Sequence, residues 1–471
     1  MTINPRITLP ARRLLLIGAA LLLGGCSSIF PVGRSAATAV PPILFVHGNG
    51  DNAALWQTTL WRFESNGWPS ERLYAVDMPY PLARDDDAIA QPGRSSAAKS
   101  RTVLASAVDQ VLKTTGATRL ILVANSSGGY AVRNYLASGG RAAAGKVSHA
   151  VLGGTPNHGV RADASDRPGN VFNGAGPFLL NLNRPKNANG DEVTSGVEWL
   201  TVRSDNYDKY AQPTGEWIGA RGKPTHVSYE GPALKGATNA VIVGIDHRET
   251  SFSPKAFEQT FRFLTGQSPS TLAITPEAAV HLDGKVFGSG LDNQPGSGNF
   301  ANNLPLAGAL VEVYAVNPAT GERRGTALLR KTIGSDGLWG PLAVDSQTAL
   351  EFVVAATGFA VTHVYRSPFP RSSQLVNLRP ERIATADRDG RAIVTLSRPR
   401  GYFGIPRDEI SLDGKSPPPG IPAGVAGVSQ SKLVLADATS RPVTGRFNGE
   451  QIVGRIWPAA DNQVVVLELT D

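Results

Sequence analysis

The stretch RLILVANSSGGYAVRNYL, residues 119–136, decides the fold of this chain. Its apolar run at 120–124 has the length and composition of a buried strand. Asn125, Ser126, Ser127, Gly128 and Gly129 follow, and such small residues favour a tight turn. The rest of the stretch is helical in character. A buried strand that turns sharply into a helix is typical of a parallel α/β sheet.

The same alternation of short apolar runs and amphipathic stretches extends over residues 41–266, which predicts an α/β domain. At helical spacing, Val103, Leu104, Ala107, Val108, Val111 and Leu112 form one apolar stripe. The apolar runs predict strands at 43–46, 73–76, 120–124, 150–154, 197–202 and 240–244.

The second half has a different texture. After a linker-like stretch at 267–277, short alternating runs such as GALVEVYAV (308–316) and QVVVLEL (463–469) are separated by Gly, Pro and Asn. Residues 273–471 are therefore predicted to form an all-β, sandwich-like region. The Pro-rich stretch 416–424 leaves two arrangements open, one sandwich with a long loop or two β units at 273–395 and 396–471.

Ser126 is the candidate nucleophile. A reactive serine must project from a sharp turn with small neighbours, so that strand and helix can approach closely, and Ala124 and Gly128 supply those neighbours. Ser127 is the rival, but choosing it would put the larger Asn125 where a small residue is needed. The register therefore favours Ser126.

Five pieces of sequence carry a resemblance to a known family: VHGNG (46–50), ANSSGG (124–129), GTPNHG (154–159), RSDNYDKY (203–210) and GIDHRET (244–250). Over residues 41–266 the chain resembles bacterial and archaeal lipases and esterases of the α/β-hydrolase superfamily. LPLAGALVEVYAVNPATGER (304–323) and SDGLWGPL (335–342) resemble the C-terminal β domain of some of these lipases, which is implicated in lipid binding. The resemblance implies a serine carboxylic-ester hydrolase that needs no cofactor or metal.

A serine hydroxyl needs a base to take its proton and a carboxylate to orient that base. In this superfamily the order along the chain is Ser, acid, His. His247 alone follows a late apolar run and precedes a helical stretch, where the fold places its base. The other candidates, which fit this position less well, are His149, His158, His226, His281 and His363.

The resemblance implies Asp208 as the acid, because Tyr210 and Pro213 follow it as in similar lipases. Asp205 lies closer to the strand end and stays open, either as the acid or as a residue that caps the turn. Asp246, beside His247, is expected to hold the loop.

An apolar strand followed directly by His47 and Gly48 is similar to the oxyanion loop of lipases. The resemblance implies that the main-chain N–H groups of Asn49 and Ser127 stabilise the oxyanion. His47 itself is expected to be a packed loop residue. The apolar residues of VFNGAGPFLLNLN (171–183) fit either a lid or acyl-chain wall, or ordinary core packing.

The N-terminus is predicted to be a signal peptide over residues 1–25, with a basic start and an apolar run at 14–25. Leu23-Gly24-Gly25-Cys26 resembles a lipobox, so Cys26 is expected to be acylated and to anchor an exported protein to the membrane. Ser27 after it indicates the outer membrane if the cell is Gram-negative. An ordinary signal peptide with an incidental Cys is the alternative, and Arg12-Arg13 leaves twin-arginine export open.

The composition of the chain limits which other functions and partners are expected. Cleavage before Cys26 would remove three arginines and no acids, which lowers the formal net charge from +7 to +4. No basic cluster interleaved with aromatics is present in the sequence, so nucleic-acid binding is not expected. Cys26 is the only cysteine, which excludes an intramolecular disulfide. The expected partner is an ester or lipid substrate. A polyester (polyhydroxyalkanoate) depolymerase and a catalytically silent lipid- or polysaccharide-binding lipoprotein are the alternatives.

Overall fold

A computed structural model describes residues 40–216 and 222–470 of the chain. The predicted signal peptide and Cys26 lie outside the described residues, so their roles stay predictions. Among the described helices, none combines the length and the apolar character that crossing a bilayer requires.

The first half is built on a six-stranded parallel sheet, as the apolar runs predicted. The strand order is β2-β1-β3-β4-β5-β6, so the chain starts inside the sheet, steps to one edge and then runs to the other. The six strands are β1 (Ile43–Val46), β2 (Leu73–Val76), β3 (Leu120–Asn125), β4 (Val147–Gly153), β5 (Glu198–Ser204) and β6 (Thr238–Ile242).

Helices cover both faces of this sheet. They are α1 (Gln57–Ser65), α2 (Ala97–Thr115), α3 (Ser127–Ala144), α4 (Pro177–Leu182), α5 (Glu249–Phe252) and α6 (Pro254–Thr265). Helix α2 begins where the Ser96 side chain accepts the Lys99 N–H, and it ends at Gly116, whose φ of 66° suits a residue without a Cβ.

Alternation along the strands divides the apolar side chains between two cores. In β1, Leu44 and Val46 join a core beneath α2 and α3, whereas Ile43 and Phe45 join a core that includes α6. Strands of a parallel sheet are buried on both faces, which explains why these runs are apolar without interruption.

The second half is β-rich. Its largest sheet has seven strands in the order β11-β10-β13-β14-β20-β15-β17, and three small sheets flank it. The strands are β7 (Ala279–Leu282), β8 (Phe287–Ser289), β9 (Ala301–Pro305), β10 (Leu310–Ala315), β11 (Leu329–Thr332), β12 (Leu342–Asp345), β13 (Leu350–Ala355), β14 (Val361–Arg366), β15 (Ala392–Ser397), β16 (Ile410–Leu412), β17 (Gln430–Leu435), β18 (Pro442–Phe447), β19 (Glu450–Arg455) and β20 (Gln463–Glu468).

The large sheet combines strands from both sides of the Pro-rich stretch 416–424. Strand β20, from the end of the chain, lies parallel between β14 and β15. Strand β15 also extends across residues 395 and 396, where the arrangement with two β units would divide the chain. The two stretches of sequence therefore share one sheet.

The β region packs directly on the α/β domain. The Trp61 side chain of α1 enters a core of the β region, where its ring meets Phe369 edge-on and its Nε1 donates to the Ser372 carbonyl at 2.9 Å. A buried ion pair joins Lys285 and Asp77 at 3.0 Å. Because these groups lose water on contact, the two halves form a desolvated interface.

Candidate active site

Ser126 lies at the sharp turn between β3 and α3. Its φ of 50° and ψ of −124° are unusual for a residue with a side chain, whereas the rival Ser127 is already the first residue of α3. Such strain persists only where the surrounding structure holds it, and it is common at functional sites. The turn therefore presents Ser126, and not Ser127, as the strained residue.

The small residues around this turn are required by close approach. A Cβ added to Gly128 would lie 2.6 Å from the carbonyl oxygens of Val46 and His47, and one added to Gly129 would lie 2.0 Å from Thr155 Oγ1. Such contacts are closer than van der Waals distance. Helix α3 can thus begin beneath the end of β1 only if position 128 lacks a side chain, and beside Thr155 only if position 129 lacks one.

His247 and Asp208 meet on the loops that follow β6 and β5. The two side chains are almost fully buried, and His247 Nδ1 lies 2.8 Å from Asp208 Oδ2. A carboxylate only accepts, so Nδ1 carries the proton and Nε2 has a free lone pair. Among the described residues Nε2 has no hydrogen-bond partner. The edge of the Tyr210 ring packs on the imidazole at 4.5 Å between centroids.

Asp205 occupies a different place. Its Oδ1 accepts hydrogen bonds from Ser204 Oγ, from Tyr207 N at 3.1 Å and from Gly244 N at 3.2 Å. It thereby caps the turn after β5 and ties that turn to the loop before His247. Of the two candidate acids, the structure brings Asp208 to His247.

Three of the other histidines have partners of their own. His363 lies between Glu351 at 2.7 Å and Gln463 at 2.8 Å, and His158 Nε2 lies 3.1 Å from Glu192. His149 is part of β4, where its Nδ1 lies 3.0 Å from Ser148 Oγ and burial lowers its pKa. His226 has a φ of 57° in a loop, and His281 is an exposed residue of β7. The structure places none of them against Asp208 or Asp205.

His47 is held in one tautomer by its own loop. The Met78 N–H donates to Nε2 at 3.0 Å, so Nδ1 is the protonated nitrogen and donates to the Gly48 carbonyl at 2.8 Å. The side chain is buried and engaged at both nitrogens. Its position agrees with the packed loop residue that the sequence predicts.

The two residues that the sequence predicts as oxyanion donors, Asn49 and Ser127, both lie near Ser126. Ser127 is the first residue of α3, and the first N–H groups of a helix have no partner within it. Asn49 is fixed by its side chain, whose Oδ1 accepts the Ala83 N–H at 2.7 Å, and it lines the same cavity as Ser126. The role of these two main-chain N–H groups as oxyanion donors stays a prediction.

A cavity of about 210 Å³ opens at Ser126 and His247. Its wall also includes Asn49, Asp51, Val160, Phe172, Tyr210 and Tyr402. A second cavity, of about 280 Å³, shares Pro156, Tyr210 and His247 with the first. The rest of its wall includes residues 157–159, 201–204, 226–229 and 231–234. No cluster of side chains suited to a metal ion is present among the described residues.

The sequence of this chain matches two family models. The family described as Lipase (class 2) matches residues 40–195, and the Lipase C-terminal domain matches residues 278–383. The chain therefore carries a lipase- or esterase-type hydrolase domain followed by a lipase C-terminal domain. The predicted α/β-hydrolase domain followed by a β-rich C-terminal region is thus confirmed. No curated protein matches the sequence.

Three solved structures of similar fold have low sequence identity to the hydrolase. Aspergillus fumigatus lipase B is 16% identical, with 49% of this chain and 54% of that chain aligned and a TM-score of 0.34, so the match spans about half of that lipase. Mature Bacillus licheniformis lipase BlEst2 is 19% identical over 48% and 93% of the chains, with a TM-score of 0.33. Phospholipase PlaB from Legionella pneumophila is 12% identical over 91% and 93%, with a TM-score of 0.34.

In this hydrolase the segment 160–196 both packs and lines the site. Leu179 and Leu182 of α4 are buried against Tyr130, as ordinary core residues are. Phe172 belongs to the wall of the Ser126 cavity, and Leu180 is 57% exposed. The two interpretations of this segment therefore apply to different side chains.

Tyr402, a wall residue that comes from the β region, is not among the site residues that the sequence predicts. The one available signal is the group of arginines at 398, 400 and 407, which is unusual within a stretch that is otherwise apolar and rich in Gly and Pro. Such a group indicates carboxylate partners but not which ones, because those partners lie about 150 residues away.

Proposed function

We propose that this ester hydrolase works through a Ser126–His247–Asp208 triad and an acyl-enzyme intermediate. One observation carries the proposal. His247 is anchored to Asp208 through Nδ1, while its buried, unpartnered Nε2 belongs to a side chain that lines the same cavity as the strained Ser126. A serine hydroxyl and an unpartnered imidazole nitrogen on the wall of one cavity are the two groups that acyl transfer needs.

In the first half of the reaction, Ser126 Oγ attacks the ester carbonyl as His247 Nε2 takes the hydroxyl proton. The carbonyl oxygen becomes negative, and the main-chain N–H groups of Asn49 and Ser127 stabilise it. The tetrahedral intermediate collapses when His247 gives the proton to the leaving alcohol. Water then attacks the acyl-enzyme in the same way, with His247 taking its proton and returning it to Ser126 Oγ, which releases the acid and restores Ser126. Asp208 stays ionised and orients the imidazole.

Two cavities meet at His247, one of about 210 Å³ that also contains Ser126 and one of about 280 Å³. Together they offer space for both the acyl and the alcohol part of an ester. A profile of activity against acyl-chain length therefore decides between an esterase and a lipase. The exported, lipid-anchored location predicted from Cys26 is part of the same proposal.

The test compares the wild type with Ser126→Ala and Ser127→Ala on p-nitrophenyl esters of about two to sixteen carbons. Ser127→Ala is the matched control, because it removes the neighbouring hydroxyl and keeps the main-chain N–H. We expect Ser126→Ala to lose several powers of ten in kcat and Ser127→Ala to stay active. Equal losses would contradict the assignment, and an inactive wild type would favour polymer substrates or a binding role.

A further inference from the structure

The β region reaches the active site through the segment between β15 and β16. Tyr402 is the contact residue of this segment. It is only 7% exposed and lines the same cavity as Ser126 and His247. A residue from the second half of the chain thus forms part of the wall around the proposed reacting atoms.

The backbone of Tyr402 is bonded to the loop that carries His247. Its N–H donates to Asp246 Oδ2 at 2.8 Å, and Asp246 directly precedes the histidine. The same carboxylate oxygen accepts Arg398 Nη1 at 2.8 Å, and this nitrogen also donates to the Tyr402 carbonyl at 2.6 Å. Asp246 is fully buried, so its charge depends on these donors.

Glu249 extends this network on the other side of His247. Its Oε1 accepts Arg398 Nη2 at 2.7 Å, and its Oε2 accepts Arg407 Nη1 at 2.7 Å. Two arginines of the β region therefore enclose the two carboxylates that flank the histidine. Buried ion pairs of this kind contribute little net stability, but separating the partners leaves an uncompensated buried charge, which opposes movement of either loop away from the β region.

The ring of Tyr402 contacts the loop that carries Asp208. Lys209 Nζ lies 3.9 Å from the ring centroid. Lys209 Nζ also donates to the Gly427 carbonyl, another group of the β region, at 2.9 Å. Cation–π contacts gain strength where water is excluded.

A second cation reaches the same ring from the His247 loop. Arg248 Cζ lies 4.7 Å from the Tyr402 centroid, and its guanidinium pairs with Asp51 of the cavity wall. The Tyr402 ring is thus held by Lys209 from one loop and by Arg248 from the other. No other described residue both lines the Ser126 cavity and comes from the β region.

We infer that Tyr402 is a positioning residue that fixes the Asp208 loop relative to the His247 loop, so that the β region is a component of the active site. The inference rests on the proposed function. Its physical basis is that the Asp208–His247 hydrogen bond joins two loops rather than two regular elements. Productive geometry tolerates displacements of only about 0.5 Å, and a displacement of 1 Å costs ~100-fold in rate.

The experiment uses the full-length protein and three variants: Tyr402→Leu, Tyr402→Phe and Arg441→Ala. Leu removes the aromatic face, whereas Phe keeps the face and removes the hydroxyl. Arg441→Ala is the control, because it breaks the Arg441–Asp413 ion pair of the β region, which does not touch either loop. The measurements are kcat and KM on a short p-nitrophenyl ester, the rate of labelling by a fluorophosphonate, and the midpoint of thermal unfolding.

We expect Tyr402→Leu to lower kcat and the labelling rate by about 100-fold while KM changes by less than about fivefold. Tyr402→Phe should lower kcat and the labelling rate by only about three- to fivefold, because both cation–π contacts remain. Rates are measured well below the unfolding midpoint and at about pH 7, since burial lowers the pKa of Lys209 to about 8 and its ammonium must be charged.

Two results would overturn the inference: a Tyr402→Leu protein that labels at the wild-type rate, or an equal loss in Arg441→Ala. If Tyr402→Leu does not fold, Lys209→Met tests the same contact. We expect it to lower kcat and the labelling rate by about tenfold, and unchanged rates would overturn the inference. Ser126→Ala separates the two hypotheses. If it still reacts with the fluorophosphonate, the proposed nucleophile is wrong, whereas an unreactive Ser126→Ala beside an unaffected Tyr402→Leu refutes only the role of Tyr402.

Discussion

Replacing Asp208 by Asn changes one atom of the hydrogen bond to His247 and reverses its direction. The carboxylate accepts the Nδ1 proton at 2.8 Å, which leaves Nε2 unprotonated. An amide nitrogen at the same place would donate to Nδ1 and shift the ring proton to Nε2. The nitrogen that must take the Ser126 proton would then already carry one.

The size of the effect follows from this tautomer. A triad with the wrong tautomer keeps its geometry and loses about 10⁴-fold in kcat. Asp205→Asn is the matched control, because the amide oxygen can still accept the two main-chain N–H groups that Asp205 now caps. For this control we expect activity within about threefold of the wild type and a loss of about 1 kcal/mol in the free energy of unfolding.

The assay measures kcat and KM of both variants on a short-chain ester, together with urea unfolding. Asp208→Asn should keep a near-normal KM and the normal unfolding free energy within about 1 kcal/mol. The reasoning fails if Asp205→Asn loses as much activity as Asp208→Asn, or if Asp208→Asn stays active. Either result would mean that the observed pair does not orient the base.

Three further predictions address the turn, the β region and the N-terminus. Gly128→Ala should abolish hydrolysis and lower the free energy of unfolding, measured with urea, by at least about 2 kcal/mol. The reason is that its Cβ would lie 2.6 Å from two carbonyl oxygens. Burial raises the pKa of Glu381 from its ordinary 4.5 to about 7, so the folded state holds its proton more tightly and stability falls as pH rises between these values. The Glu381→Gln protein should therefore be more stable than the wild type by about 1–2 kcal/mol above about pH 8 and equally stable below about pH 4.5, as measured by thermal unfolding. This difference is smaller than the full pKa shift implies, because the side chain is partly in contact with solvent. Cys26→Ser should move the protein from the membrane to the soluble fraction on cell fractionation.

Each of these has a result that contradicts it. A Gly128→Ala protein with normal stability would mean that α3 can move away from β1. An equal difference between Glu381→Gln and the wild type at both pH values would show that proton uptake at this site does not affect folding. A Cys26→Ser protein that stays on the membrane would exclude acylation of Cys26 as its anchor.

The positions of most strands and the small-residue turn at Ser126 follow from residues that are neighbours in the chain. The apolar runs at 43–46 and 73–76 coincide with β1 and β2, because residues buried on both faces of a sheet must be apolar without interruption. Ser126 was identified because the demands of its turn, small neighbours and a close helix, are met by residues adjacent in the chain. His247 was identified from its position between a strand and a helix. The catalytic roles of both stay predictions until the variants are measured.

Tertiary structure alone decided which side chains meet. The choice between Asp205 and Asp208 depends on a turn that points one carboxylate at Gly244 and the other at His247. The contact of Tyr402 with Asp246 joins residues 156 positions apart. Likewise β20, the last strand, lies between β14 and β15. Sequence periodicity reports which face of an element is buried, but it carries no information on the partner that buries it, because that partner is selected by packing of the whole chain.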